Sequence, residues 1–364
     1  MPDEKHLLQI VPHTPGSFDG VGDYALTLAK ALFDDYGIRT TFLVAHGTRV
    51  ENKEGFEIIS GFSAEALHAA TQPIDHVLLH YANYGYEARG RPVALRKFAQ
   101  ALRRNFRGRW ITMFHELWAS GPPWRSAFWT RPAQVKIARQ IMDLSDSCFV
   151  SNQVIASEIR RCDPAKPIHQ LPVMSNFGEP QLHDFSGRSP MRWAICGGAA
   201  LIARSLRSFI AAIPSIPAAF RPERLHLIGG RREPGIDHLL QGLTSVSGTY
   251  HPEISAEAAS EILTQCSFGW LDYFGRGKVW PGMIFKSGSF AAYCAHGIVP
   301  VFSHEEGDLE MDRDRFPGPF AVAGSTVRFP QPEKLPEISG EIYSWYQRHA
   351  SSDRTAQEFA EALK

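Results

Sequence analysis

Residues 285–302 read Phe285-Lys286-Ser287-Gly288-Ser289-Phe290-Ala291-Ala292-Tyr293-Cys294-Ala295-His296-Gly297-Ile298-Val299-Pro300-Val301-Phe302. A Lys, two Ser and a Gly lead into a short Ala-rich run. Gly297 interrupts that run, and an apolar stretch follows it. The spacing predicts a short helix stopped by a glycine, then a buried strand. A helix N-terminus leaves backbone N–H groups without partners and carries the positive end of the dipole. Opened by Lys286, Ser287, Gly288 and Ser289, this one suits a phosphate, and Gly288 lets a ligand approach the backbone. The same residues also describe an ordinary capped core helix, so the neighbouring segments decide.

Those segments repeat the strand–helix alternation. Upstream, 192–196 is a predicted strand ending in Gly197-Gly198, followed by a helix near 204–213. Residues 224–228 form a strand ending in Gly229-Gly230, 256–263 a helix and 267–271 a strand. The first half of the chain runs the same way. Strands are predicted at 7–11, 40–45, 76–80, 110–114, 147–150 and 168–171. Helices are predicted after Gly22 and at 93–106, 134–144 and 153–161. Such alternation predicts parallel sheets covered by helices on both faces. Residues 176–190 break the rhythm with Gly178, Pro180, Gly187 and Pro190. Helices at 333–349 and 355–364 close the chain.

The fold class expected is therefore α/β, with two Rossmann-like doubly wound domains facing a central cleft. Residues 1–178 are the N-terminal domain, 179–190 the linker and 191–345 the C-terminal domain. Residues 346–364 form a C-terminal helix positioned to pack back on the N-terminal domain. Ligands of such sheets bind beyond the carboxyl ends of the strands.

The 364 residues exceed what one core usually spans, and 38 basic residues balance 38 acidic ones. That balance argues against a nucleic-acid partner. The five cysteines, Cys148, Cys162, Cys196, Cys266 and Cys294, are scattered and odd in number, as in a cytoplasmic protein with reduced thiols. No Asp-x-Asp, His or Cys grouping offers a metal site, so no metal and no cofactor is expected. Between Arg91 and Trp129, cations are dense and interleaved with aromatics, which suits peripheral contact with an anionic membrane or an aromatic-lined acceptor cleft.

Gly20-Val21-Gly22 invites a dinucleotide reading, but a third glycine is missing. Ala45-His46 stands where a ribose-binding acid belongs, so that reading fails. His115-Glu116 follows a strand end, where a His can bond a sugar hydroxyl or phosphate and a Glu can act as base. A plain strand-end cap fits these two residues equally well. Arg204 and Lys286, each near a helix start, suit the neutralising of a departing diphosphate, and plain surface charges fit them equally well.

Taken together, Gly20-Val21-Gly22-Asp23-Tyr24, Phe114-His115-Glu116-Leu117-Trp118 and Gly297-Ile298-Val299-Pro300-Val301 resemble motifs of the retaining GT-B glycosyltransferases of the group 1, family 4-like type. The resemblance implies transfer of a sugar from a nucleoside diphosphate sugar to a glycan or lipid-linked acceptor, in polysaccharide or glycoconjugate biosynthesis. It places Gly20 and Gly22 near the donor phosphates, His115 near the transferred sugar, and Arg204 and Lys286 near the diphosphate. Gly197, Gly229, Gly230, Ser287, Gly288 and Ser289 join the donor site, with the base near His251, Glu253 and Ile254. Acceptor contacts are expected from His13, Asp23, Tyr81, Tyr84 and Trp118. The catalytic group is expected to be His115, Glu116, Arg204 and Lys286. One departure stands out: the family's paired glutamates are missing, because no acid lies between Tyr273 and His304. The alternatives are a sugar-nucleotide epimerase of the same fold and a non-catalytic sugar-nucleotide-binding member.

Overall fold

Two parallel sheets, each with its own core, emerge from this alternation. A computed structural model describes residues 5–16, 20–45, 51–68, 70–71, 73–119, 121–273, 279–304, 307–323 and 326–364. The chain forms two compact units, Met1–Leu171 with Ser352–Lys364, and Pro172–Ser351.

The first unit carries strands β1 (His6–Val11), β2 (Arg39–Val44), β3 (Glu51–Lys53), β4 (Phe56–Ser60), β5 (His76–Tyr81), β6 (Trp110–Phe114), β7 (Ser147–Val150) and β8 (Ile168–Gln170). Their order is β3-β4-β2-β1-β5-β6-β7-β8, and only the β3–β4 pair is antiparallel. The inner strands are buried along both faces, as their unbroken apolar runs require. The helices are α1 (Gly20–Tyr36), α2 (Ala64–His68), α3 (Asn83–Tyr86), α4 (Val93–Asn105), α5 (Ser126–Leu144) and α6 (Gln153–Cys162). Asn152 starts α6 by accepting from the N–H groups of Val154 and Ile155. The C-terminal helix, Ser352–Ala362, belongs to this unit. Phe359 stacks on Phe149 with ring centroids 4.0 Å apart, and Lys5 Nζ donates to the Leu363 carbonyl.

The second unit runs β9 (Arg192–Cys196), α7 (Ala199–Ala212), β10 (Arg224–Ile228), α8 (Pro234–Gln241), β11 (Ser247–His251), α9 (Ala256–Leu263), β12 (Phe268–Leu271), α10 (Gly288–Ala295) and β13 (Val299–Phe302). It then adds a small hairpin, β14 (Glu310–Met311) and β15 (Asp314–Arg315), and β16 (Phe320–Ala323), β17 (Thr326–Arg328) and α11 (Leu335–His349). The sheet order is β11-β10-β9-β12-β13-β16-β17, parallel except for the last pair. Strand order reverses beside β9, which puts its carboxyl end at the unit's switch point.

Three expectations need correcting. The second unit begins at Pro172, and residues 179–190 are packed into it rather than spanning between domains. Phe185 lies where a side chain on Gly297 would go, 2.3 Å from that ideal Cβ, and Arg188 donates to the carbonyls of His296 and Gly297. Helix α7 starts five residues before Arg204, directly after Gly198. Helix α5 starts at Ser126, eight residues ahead of the predicted position.

Candidate functional site

The carboxyl ends of β9, β10, β11 and β12 and the start of α10 gather most of the residues expected to bind a donor. Gly197 follows β9 with a φ of 140°, and Gly230 follows β10 with a φ of 68°. A Cβ on Gly230 would stand 2.5 Å from the Ala199 nitrogen, and one on Gly229 would stand 2.9 Å from the Gly197 oxygen. The two glycine turns therefore pack on each other, and larger residues would push them apart. A Cβ on Gly198 would meet no atom within 4 Å, so the start of α7 is open on that side.

Helix α10 is buried from Ser289 to Ala295, while Lys286 at its approach is exposed. Ser287 caps it: Ser287 Oγ accepts from Phe290 N at 3.3 Å and its carbonyl from Ala291 N at 3.0 Å. The N–H groups of Gly288 and Ser289 make no hydrogen bond to another described residue. The nearest atom to a Cβ on Gly288 would be Asn176 Nδ2, at 3.9 Å.

The two ends of α10 are treated differently. Arg188 Nη1 reaches His296 O at 2.7 Å and Gly297 O at 3.3 Å, which compensates the negative end of the dipole. Burial lowers the Arg188 pKa to about 10, so it stays charged near neutral pH. At the positive end there is no acid from Tyr273 to His304. Lys286 adds another positive charge and pairs with no described residue. An anion is the complement of such a helix end.

Arg204 is already engaged by a neighbouring acid. Its Nη2 donates to Asp272 O at 2.8 Å and its Nε lies 3.4 Å from Asp272 Oδ2. Asp272 Oδ1 also accepts from Ser303 Oγ at 2.7 Å. Part of the Arg204 charge is therefore spent on Asp272, a residue that sequence reasoning passed over. Ser289 is engaged too: its Oγ donates to the Cys196 carbonyl at 2.8 Å and ties α10 to β9, which leaves only its backbone N–H for a ligand. His251 is half-buried and stacks on His226, with Nε2 3.2 Å from His226 Nδ1. Glu253 is exposed with a φ of 52°, and Ile254 packs against the core.

In the first unit, a polar chain runs through the sheet. Gln9 Nε2 donates to Thr40 Oγ1 at 3.4 Å, and His80 Nε2 donates to Gln9 Oε1 at 2.8 Å. With that proton placed, His80 Nδ1 accepts from His115 Nε2 at 3.2 Å. His115 Nδ1 is then the ring's acceptor, and it bonds no described residue. The edge of Tyr24 packs on the His115 ring at 5.1 Å. Burial lowers the His115 pKa to about 4 and drives that of His80 down as well, so both rings are neutral near pH 7. Glu116 beside them is exposed.

Gly20 is the first residue of α1, Gly22 is buried and Asp23 sits in its first turn. Residues 17–19 of the predicted glycine loop lie outside the described residues. His13 is exposed. Tyr84 Oη accepts from Gln134 Nε2, and Trp118 is half-buried against the core. Tyr81 is fully buried against Phe114, so its side chain is not open to an acceptor. Among the described residues no group of His, Cys, Asp and Glu could hold a metal ion, and no helix is long and apolar enough to cross a membrane.

No protein-family model and no curated protein sequence matches the chain. Solved structures do resemble it in fold. An alpha-glucosyltransferase in complex with UDP and a 13-mer DNA containing a HMU base aligns with a TM-score of 0.61 at 12% identity, over 98% of this chain and 99% of the other. A glycosyltransferase from Rickettsia africae ESF-5 aligns with a TM-score of 0.59 at 12% identity, over 100% and 98%. An E. coli trehalose-6-phosphate synthase bound with UDP-2-fluoro glucose aligns with a TM-score of 0.56 at 11% identity, over 99% of each. At such identities the likeness is one of fold: the chain has the two-domain α/β fold of the GT-B glycosyltransferases.

Proposed function

We propose that the protein is a glycosyltransferase. It takes a sugar from a nucleoside diphosphate sugar and passes it, with retention, to a glycan or glycolipid acceptor in polysaccharide or glycoconjugate biosynthesis. The observation that carries this reading is the start of α10, whose Gly288 and Ser289 N–H groups bond no described residue, with Lys286 beside it and no acid between Tyr273 and His304. A diphosphate there accepts from the Gly288 and Ser289 N–H groups and from Lys286. As the glycosidic bond breaks, the charge growing on the leaving diphosphate strengthens these bonds, which lowers the barrier. Arg204 adds a weaker share because Asp272 holds it. The nucleobase is assigned to the His251–Ile254 turn. Neutral His115 accepts a hydrogen bond from a hydroxyl of the transferred sugar, through Nδ1. Side-chain and backbone donors supply the positive charge in this scheme, and it uses no metal.

The missing acids favour one competing reading, a member that binds a sugar nucleotide without turning it over. Incubation with a panel of sugar nucleotides, with glycan, glycolipid and DNA acceptors, followed by product chromatography, tests the proposal. Sugar transfer to a glycan or glycolipid is the expected result. Tight binding without turnover, an isomerised donor, or transfer to DNA alone would each replace it.

A further inference from the structure

Between Ala88 and Met142 the sequence holds twelve Lys or Arg and one acid, Glu116, although the whole chain is neutral. The segment includes α4 and most of α5, which lie side by side and run the same way. Arg96 Nη1 donates to Gln140 Oε1 at 3.2 Å, and Arg103 Nη2 to Asp146 Oδ1 at 2.6 Å. Arg96 is close to the start of α4 but Gln140 is far along α5. At 1.5 Å per residue, the start of α5 projects about 16 Å beyond that of α4.

Aromatic side chains crowd that projecting end instead of being buried. Trp124 is 82% exposed, Trp129 72% and Phe128 42%. Trp129 is held in place, its Nε1 donating to Pro123 O at 2.8 Å, and Arg125 N donates to Pro122 O at 2.9 Å in the turn before it. Phe128 and Trp129 meet edge to face at 5.3 Å. Arg125 stands among them and Arg131 and Lys136 follow, all exposed and without an ion pair to a described residue, and Lys97, Arg104 and Arg107 are in the same state.

We propose that this end of α5 docks on the surface of an anionic phospholipid bilayer. The order of groups is that of a bilayer contact. Exposed aromatic side chains and Arg125 share the projecting tip, where indoles can settle between headgroups, and Arg131 and Lys136 lie one to three turns farther along α5 to meet anionic headgroups. A single-strand nucleic-acid site instead lines a groove with cations and lays its aromatics along the floor. The proposal is independent of the transferase reading.

The test is sedimentation of the full chain with vesicles of phosphatidylcholine and phosphatidylglycerol in equal parts, with phosphatidylcholine vesicles, and separately with duplex DNA. The expected result is binding to the mixed vesicles alone, weakened by salt. Each cation near an anionic surface strengthens binding about fivefold, so Arg125→Glu with Arg131→Glu loses at least about 25-fold. Trp124→Ala with Trp129→Ala loses about tenfold or more at unchanged melting temperature, because both side chains are exposed. Equal binding to both vesicle types, no vesicle binding, undiminished binding by the variants, or DNA binding in place of vesicle binding overturns the proposal.

Discussion

His80 Nδ1 lies 3.2 Å from His115 Nε2, with the two rings stacked at 5.5 Å. His80 is anchored by Gln9 in the middle of the sheet, so it fixes both the orientation and the tautomer of His115. Burial lowers the folded-state pKa of His115 to about 4. His115 therefore stays neutral well below the ordinary imidazole range and gains a proton only near pH 4. A carbon-detected imidazole titration, assigned with His115→Gln, should show no transition for this residue between pH 7 and 5. A transition near 6.5 contradicts the buried geometry.

Lys286 should matter to ligand and not to fold. It is exposed and pairs with no described residue. Lys286→Ala should weaken nucleoside diphosphate binding about ten- to hundredfold, the worth of a hydrogen bond to a charged group, and leave the melting temperature alone. Arg204→Ala should cost less, because Asp272 already engages that guanidinium. Titration calorimetry on both variants measures the difference. Equal binding by both variants and the parent would remove the phosphate site.

Gly297 shows how the segment 179–190 is held. Its φ is 59°, and the Phe185 ring occupies the space of a side chain. Gly297→Ala should destabilise the second unit by about 2–4 kcal/mol, from the left-handed backbone and the overlap with the ring. In urea denaturation, adding Phe185→Ala to Gly297→Ala should cost less than Phe185→Ala costs alone. Strict additivity would mean that the ring and the glycine do not meet.

His296 carries a pH signature for stability. It is fully buried, with Nδ1 donating to Ala292 O at 2.7 Å and Nε2 accepting from Ser260 Oγ at 2.8 Å. Burial lowers its pKa to about 4. Between that value and the unfolded value of about 6.5, the unfolded chain binds the extra proton, so stability falls as pH drops through this window. The loss is about 3 kcal/mol from this residue. His296→Asn should flatten the slope between pH 6.5 and 4, measured by chemical denaturation at each pH.

The sheets were readable because buried parallel strands are unbroken apolar runs: 110–114, 147–150, 192–196 and 224–228 match observed strands residue for residue. Elements whose stability comes from elsewhere were not. The start of α5 escaped detection because Phe128 and Trp129 face outward and Pro132 reads as a stop, so no apolar period marks the turn. Residues 179–190 read as a linker because their glycines and prolines are local signals, whereas Phe185 and Arg188 meet partners about a hundred residues away. Strand β3, Glu51-Asn52-Lys53, has no apolar residue to declare a period, and β4 is only five residues long. At the candidate site, Lys286 and the glycine turns were legible from position alone. The roles of Asp272 and His80 were not, since each depends on strand neighbours that only the sheet order supplies.

On the proposed function, a nucleoside diphosphate sits at the start of α10. A crystal of the protein soaked with UDP tests it most directly. The prediction is diphosphate density within hydrogen-bond distance of the Gly288 and Ser289 nitrogens and of Lys286 Nζ. Diphosphate density bound elsewhere, with the start of α10 left to solvent, would contradict the account.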